Sequence, residues 1–444
     1  MPNNILRQHS LKIAIFSLLS ATACGTLQAG QAWSLDSCVN YAITHNIDVR
    51  RQGLQTLSGE LDVTSAKDAF LPTAEASASE SFNFGRGLTT DNTYVDRNTS
   101  NFQWGISVNV PIFQGLENVR RLKYAKSAMA RTLLEYEAAK DNVTLNVISQ
   151  YLQVLYSREV EQAAKAQLAY SEYEVERQRN LVEAGKVAEA DLLDAEAQMA
   201  QDRLQAVSAA DDTRIQLITL ANLLQLPSAE GFDIEGIAED SPLLPAAETV
   251  WEDAMRKDNS LLAARQGIKA ADDNITLAKS GWLPRLSFSA STGSSYYTVS
   301  GVPNEPFDQQ MRHNYSTYLG FRLSIPIFDG FSTRNNVRRA RLQRLEAELE
   351  AERRESELYK TIRLAHTQAR GAMEKYLASD ETLVKTRLSF EATREKYSLG
   401  RATPYEFEQA KTNLFRTEIN RIQALYEYIL RCRILRFYQH EPLL

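Results

Sequence analysis

Cysteine and histidine, the types most used for nucleophiles and soft metal sites, are few in this sequence of 444 residues. It has three cysteines (Cys24, Cys38, Cys432) and five histidines (His9, His45, His313, His366, His440). They are scattered, with no CxxC, no Cys/His metal spacing, no HExxH, no triad and no phosphate loop. Cys38 and Cys432 allow two readings: a disulfide made in an oxidising compartment, or two separate thiols on helix faces. No cofactor or metal is implied, and no acid/base constellation argues for an enzyme.

Polar chemistry gathers instead beside two glycines. Gly185 sits in NLVEAGKVAEADLLDAEAQM and Gly400 in EKYSLGRATPYEFEQAKTNL, 215 residues further on. Acids follow each glycine, at Asp191 and Glu406, in the position of helix-start capping residues. Lys186 and Arg401 come directly after the glycines, and Tyr397 stands three residues before the second. The question becomes what positions them.

The same offset recurs. VNVPIFQG around Pro111 returns as LSIPIFDG around Pro326, again 215 apart, and AKDAFLP around Pro72 returns as AKSGWLP around Pro284, 212 apart. Constant spacing over three landmarks marks an internal duplication. We read repeat 1 over 33–226, a polar linker over 227–246, and repeat 2 over 247–440.

Each repeat reads helix, strand, strand, long helix, turn, long helix. The opening helices are expected over Leu35–Lys67 and Val250–Lys279, ended by Pro72 and Pro284. From Glu117 to Glu183 there is no Pro or Gly. Met129, Leu133, Tyr136, Val143, Val147 and Val154 recur there with heptad-like steps. A second long helix is expected from Arg334 to Ser398, with return helices over Asp191–Gln225 and Pro404–Phe437.

Strands are expected over about 73–84, 102–113, 285–297 and 315–328. Trp104, Ile106, Val108 and Val110 fall on one face, opposite Gln103, Gly105, Ser107 and Asn109. Leu319, Phe321, Leu323 and Ile325 likewise oppose Tyr318, Gly320, Arg322 and Ser324. Aromatic residues cluster near the strand ends, and polar loops join each pair. This is the pattern of a membrane β-barrel with an apolar outer face. A soluble sheet resting on a helical core would show one apolar face too. Four strands cannot close a barrel, and an open edge in lipid leaves N–H and C=O groups unpaired. Strands that enter lipid therefore require several protomers to share one barrel. Pro-Ile-Phe-x-Gly is expected to end the strand at Pro and turn into the helix at Gly.

The N-terminus places Arg7, His9 and Lys12 before the apolar run Ile13–Ala23, the form of a secretory signal. We assign 1–32 as signal peptide, with lipidation at Cys24 as the rival reading of SATAC. No later stretch approaches the ~20 apolar residues of a membrane-spanning helix. The net charge of −6 gives no basic excess for nucleic acid.

These motifs in this order identify the chain as resembling the TolC-family outer-membrane efflux proteins. The carriers are VNVPIFQG, LSIPIFDG, LVEAGKVAEADLLDAEAQ, YSLGRATPYEFEQAK and WSLDSCVNYAITHN. The ending YEYILRCRILRFYQ resembles the Bacteroidetes-like version. The resemblance implies a mainly α fold with a membrane β-barrel segment, in which a homotrimer forms a 12-stranded barrel on a long α-helical tunnel. It implies an exit duct in the Gram-negative outer membrane that extends into the periplasm and serves an efflux pump or type I secretion system. The implied partners are a periplasmic membrane-fusion adaptor, an inner-membrane transporter of ABC, RND or MFS type, and outer-membrane lipid. Ala184, Gly185, Lys186, Val187, Leu399, Gly400, Arg401 and Ala402 match the adaptor-docking tips. Asp191, Tyr397 and Glu406 match the periplasmic gate, whereas Gln409 stands where the family has a further acid. The reading from another class is a soluble periplasmic coiled-coil scaffold or adaptor.

Overall fold

The structure is a computed structural model that describes residues 32–88, 92–237 and 244–439. The signal peptide and Cys24 lie outside the described residues. The chain forms two compact units: one of residues 51–138 and 255–358, the other of the remaining segments.

The first unit holds a sheet. Strands β1 (Thr73–Asn83), β4 (Thr99–Gln114), β5 (Arg285–Val299) and β6 (Ser316–Ser324) lie in the order β1-β4-β5-β6. Every neighbouring pair is antiparallel. Between β1 and β4, the expected loop folds into a small hairpin, β2 (Arg86–Leu88) and β3 (Tyr94–Asp96).

The register settles which side chains share a face. Ala76 pairs with Ile106, Ile106 with Thr292, and Thr292 with Thr317. Two residues along, Ala74, Val108, Ala290 and Leu319 form the next row, and Val110, Phe288 and Phe321 the one after. Directly opposed residues project to the same side of a sheet. The apolar stripes of all four strands therefore merge into one face. Ser107, Ser291 and Tyr318 lie on the other face, beside Asn109 and Ser289.

Two expectations about the sheet need correction. Strand β6 ends at Ser324 rather than 328, because its partner β5 begins at Arg285 and no ladder exists beyond that pair. Ile325 thus lies past the strand. In repeat 1, Pro111 does not end β4. The strand runs on to Gln114, and the register slips by one between Pro111 and Phe113. This bulge places one extra residue where proline interrupts the regular donor pattern.

Helices α1 (Leu35–His45) and α2 (Ile47–Asp68) replace the single expected opening helix, and α5 (Ala247–Lys257) and α6 (Asn259–Ala278) replace its counterpart. Side-chain caps cause both breaks. Asn46 Oδ1 accepts from the Asp48 N–H at 2.9 Å, and Asp258 Oδ1 from the Leu261 N–H at 2.8 Å. These two residues are also 212 apart. A short helix α7 (Phe307–His313) stands between β5 and β6.

The long helices are α3 (Glu117–Glu183) and α8 (Ser332–Ser398), of 67 residues each and displaced by 215 at both ends. Helices α4 (Glu189–Leu223) and α9 (Pro404–Gln439) return from them. Of the heptad-like positions in α3, Val143, Val147 and Val154 are buried, while Leu133 is 41% exposed. In the second unit, Tyr151 sits beside the parallel bridge between Trp33 and Ile234, its one hydroxyl proton shared between Trp33 O at 3.0 Å and Glu235 O at 2.7 Å. Cys38 and Cys432 are both buried and free, which selects the two-thiol reading. Burial pushes the Cys38 thiol up to about 12.

Candidate functional site: the paired helical tips

Both hairpin turns are built the same way. The Lys186 N–H donates to Leu181 O at 2.9 Å and the Gly185 N–H to Val182 O at 2.8 Å. At the second turn, Arg401 N–H reaches Lys396 O at 2.8 Å and Gly400 N–H reaches Tyr397 O at 3.0 Å. This pair of bonds defines the Schellman ending, in which the glycine must be left-handed. Gly185 has φ +67° and Gly400 φ +69°. A Cβ on either would meet nothing within 4 Å, so conformation and not crowding selects glycine.

The tips present exposed groups: Ala184, Gly185, Lys186, Leu399, Gly400 and Arg401. Val187 and Ala402 are half-buried, and Ala402 packs on the cluster of Phe390, Tyr397 and Phe407. Pro404 begins α9, a position where its missing N–H costs nothing.

Asp191 and Glu406 both cap helices. Asp191 Oδ2 accepts the Ala188 N–H at 3.2 Å. Around Glu406 a full capping box forms. Thr403 N–H donates to Glu406 Oε2 at 2.7 Å, and Glu406 N–H donates back to Thr403 Oγ1 at 3.2 Å. The backbone and side-chain bonds from Thr403 hold the Glu406 carboxyl below its ordinary range. The two acids share a helix-start role, and neither is brought to Tyr397 by any bond described.

Tyr397 is buried within the protomer. Its hydroxyl donates to Glu174 Oε1 at 2.6 Å and accepts from Gln178 Nε2 at 2.6 Å. The ring stacks on Phe407 at 4.7 Å, with the Arg177 guanidinium 4.2 Å above it. Arg177 also grips Glu174 with two bonds of 3.0 Å. Burial and the Glu174 carboxylate push the Tyr397 phenol well above its usual range, so it stays a neutral donor. The sequence reading found Tyr397 but missed Glu174, Arg177 and Gln178. A signal was available: Ala164, Gln167, Ser171, Glu174 and Gln178 follow heptad steps, yet four of the five are polar. A seam that turns polar marks a buried network rather than a core.

Among the described residues no helix is long and apolar enough to cross a membrane. The membrane-facing candidate is the four-stranded sheet. Long helical hairpins joined to such a sheet define a channel protein of the outer-membrane duct class. The outer membrane efflux protein family matches residues 39–225 and 250–437, and the chain belongs to that family. Outer membrane protein TolC of Escherichia coli K12 is 22% identical over 424 residues, covering 93% of this chain and 83% of TolC. Alkaline protease secretion protein AprF of Pseudomonas aeruginosa is 23% identical over 350 residues, covering 77% of this chain and 70% of AprF. The Campylobacter jejuni CmeC outer membrane channel has the same fold, with a TM-score of 0.74 at 17% identity over 92% of this chain and 87% of CmeC. The protein is thus an outer-membrane exit duct for efflux or type I secretion, with a periplasmic tunnel. Its family is one of transport ducts and not of enzymes.

Proposed function

We propose that the chain works as a homotrimer whose three sheets close one twelve-stranded barrel. The observation that carries this reading is the register. It merges every apolar stripe into one face and leaves β1 and β6 as outer edges of the sheet. Edges in hydrocarbon must be paired, so β1 of one copy joins β6 of the next. Trp104, Ile106, Val108, Val110, Leu319, Phe321 and Leu323 then face lipid, and Ile325 follows at the strand exit. The two repeats, 33–226 and 247–440, supply equivalent wall segments.

In the helical hairpins, 184–187 and 399–402 dock a periplasmic membrane-fusion adaptor. The adaptor connects the duct to an inner-membrane transporter of ABC, RND or MFS type, which supplies the energy. Asp191, Tyr397 and Glu406 shape the entrance, with the acids attracting cations. Lys186 and Arg401 put positive charge on each tip and favour an adaptor hairpin bearing carboxylates. Two measurements test this. The detergent-extracted protein should have the mass of a trimer; a monomer released without detergent refutes the shared barrel. A photo-crosslinker at Leu399 should capture an adaptor in cells, and capture at an outward strand position instead refutes tip docking.

A further inference from the structure

Lys411 of α9 is a fully buried lysine, with its side chain 2% exposed. Its ammonium reaches three helices. It donates to Ser171 Oγ of α3 at 2.7 Å and to Asp202 Oδ2 of α4 at 3.2 Å, and it lies 2.7 Å from Glu408 Oε2 on its own helix. Ser171 and Gln198 also bond to Asp202. That Glu408 oxygen is enclosed, with no further donor on it. One turn along α3, Glu174 continues the layer to Arg177, Gln178 and Tyr397 of α8. All four hairpin helices therefore meet in one polar layer. Lys411 lies eight residues beyond Thr403, about 12 Å along α9 from the turn.

The layer is unbalanced. The charged groups facing Glu408 are Lys411 on α9, Asp202 on α4, and Glu174 with its partner Arg177 on α3; the neutral phenol of Tyr397 comes from α8. Three carboxylates thus share two cations. Burial raises the Glu408 carboxyl above its ordinary 4.5, and Asp202 and Glu174 add to this while Lys411 opposes it. A buried pair or triad adds little net stability as a whole, whereas removing one partner leaves a buried charge uncompensated.

We propose that Lys411 is a positioning residue for the periplasmic tips, and that the layer around it tightens by taking up a proton on Glu408 as its surroundings acidify. The tip part rests on the reading of 184–187 and 399–402 as the working end. The proton binds a carboxylate whose Oε2 is enclosed, removes the excess negative charge and leaves Lys411 paired with Asp202. Because the folded state then binds more protons than the unfolded one, stability from this group rises as pH falls through the folded value. Acid should hold the two hairpins together, and neutral pH should loosen them.

The test compares the full chain in detergent with Glu408→Gln, which imitates the protonated group. Melting is followed from about pH 8 down to below the ordinary 4.5 of a glutamate, so that the scan passes through the raised Glu408 value. Glu408→Gln should melt higher than wild type at the upper end, and the gap should close at the lower end. A gap that is absent or independent of pH overturns the proposal. Lys411→Met should melt lower throughout, and Lys411→Met with Asp202→Asn should recover part of the loss; no recovery also overturns it. In planar bilayers, wild-type conductance should fall on acidification, and Glu408→Gln should be low at both ends. Conductance that is the same in both proteins at every pH refutes the positioning role. If crosslinking at Leu399 persists in that case, the tip reading still stands. Loss of crosslinking in wild type refutes the tip reading alone.

Discussion

The two strand-to-helix joints carry the same motif and fold differently. In repeat 1, Pro111-Ile112-Phe113 stays in the sheet, and the bulge absorbs one residue before the strand ends at Gln114. In repeat 2, the ladder ends at Ser324, and Ile327 is 96% exposed. Both joints are paired by β5 alone, since β1 begins opposite Asn109, but Pro111 still faces Ser287 of β5, whereas Ser324 already faces Arg285, the first residue of β5. A strand whose neighbour continues opposite can keep its pairing through a proline by bulging, and a strand whose partner has ended has nothing to pair with.

Beyond the motif the joints converge again. Gly115 and Leu116 have φ +61° and +62°; Gly330 and Phe331, 215 residues later, have +63° and +64°. A left-handed Leu or Phe is costly, by about 1–2 kcal/mol, so both joints hold the same strained pair. Only their surroundings differ. A Cβ on Gly115 would stand 2.9 Å from Leu283 Cβ and 3.1 Å from Ser280 O, while one on Gly330 would meet nothing within 4 Å. Identical backbone demand thus comes with crowding at one joint and open space at the other.

Substitutions can break this comparison. The largest effect is expected from Val110→Arg, one residue before Pro111 and inside the sheet. A charge on the lipid face of a barrel costs up to about 2–4 kcal/mol at mid-membrane and less toward the interface, so the yield of outer-membrane trimer on unheated gels should drop. Asn109→Arg, on the polar face beside Ser289, should assemble; equal behaviour of the two sinks the face assignment. Ile325→Arg is the counterpart 215 residues on, but it lies past β6, so its trimer yield should exceed that of Val110→Arg.

Smaller effects separate the glycines. Gly115→Ala should lower the melting temperature more than Gly330→Ala. Both lose about 1–2 kcal/mol to the left-handed backbone, and only Gly115 adds the clash with Leu283. Equal shifts would mean that the crowding relaxes freely. Gly185→Ala and Gly400→Ala have open surroundings, so each should resemble Gly330→Ala in melting.

The smallest effect is electrostatic. Asp329 Oδ2 accepts the Thr333 N–H at 2.7 Å and caps α8. Bonds from the Thr333 side chain and backbone hold its carboxyl below the ordinary 3.8. Its contribution is therefore present above 3.8 and lost as pH falls through the lower folded value. Asp329→Asn should narrow the acid sensitivity of melting slightly. Gln114→Glu, at the matching place in repeat 1, should not, because Gln114 still belongs to a strand.

Much was legible in the sequence. A run free of Pro and Gly gave away α3, and α8 was legible as its repeat 215 residues on, free of Pro and with the single glycine Gly371. Period-2 alternation placed the four strands and chose their apolar face, because a pleat sends alternate side chains to opposite sides. Gly185 and Gly400 were readable as turns, as only glycine takes a left-handed ending cheaply. The caps at Asn46 and Asp258 were overlooked, although each carries an Asx residue at a helix start.

Residue type, spacing and repetition therefore determined the elements, their duplication and the family. These are local properties, set by φ/ψ preference and side-chain period. Where each strand stops, what surrounds Gly115, and the meeting of Lys411 with Ser171 and Asp202 were decided only by the tertiary structure. They depend on partners as far as 240 residues away in the chain. No local preference encodes which distant groups will share a buried layer; that follows from packing four helices and pairing four strands at once.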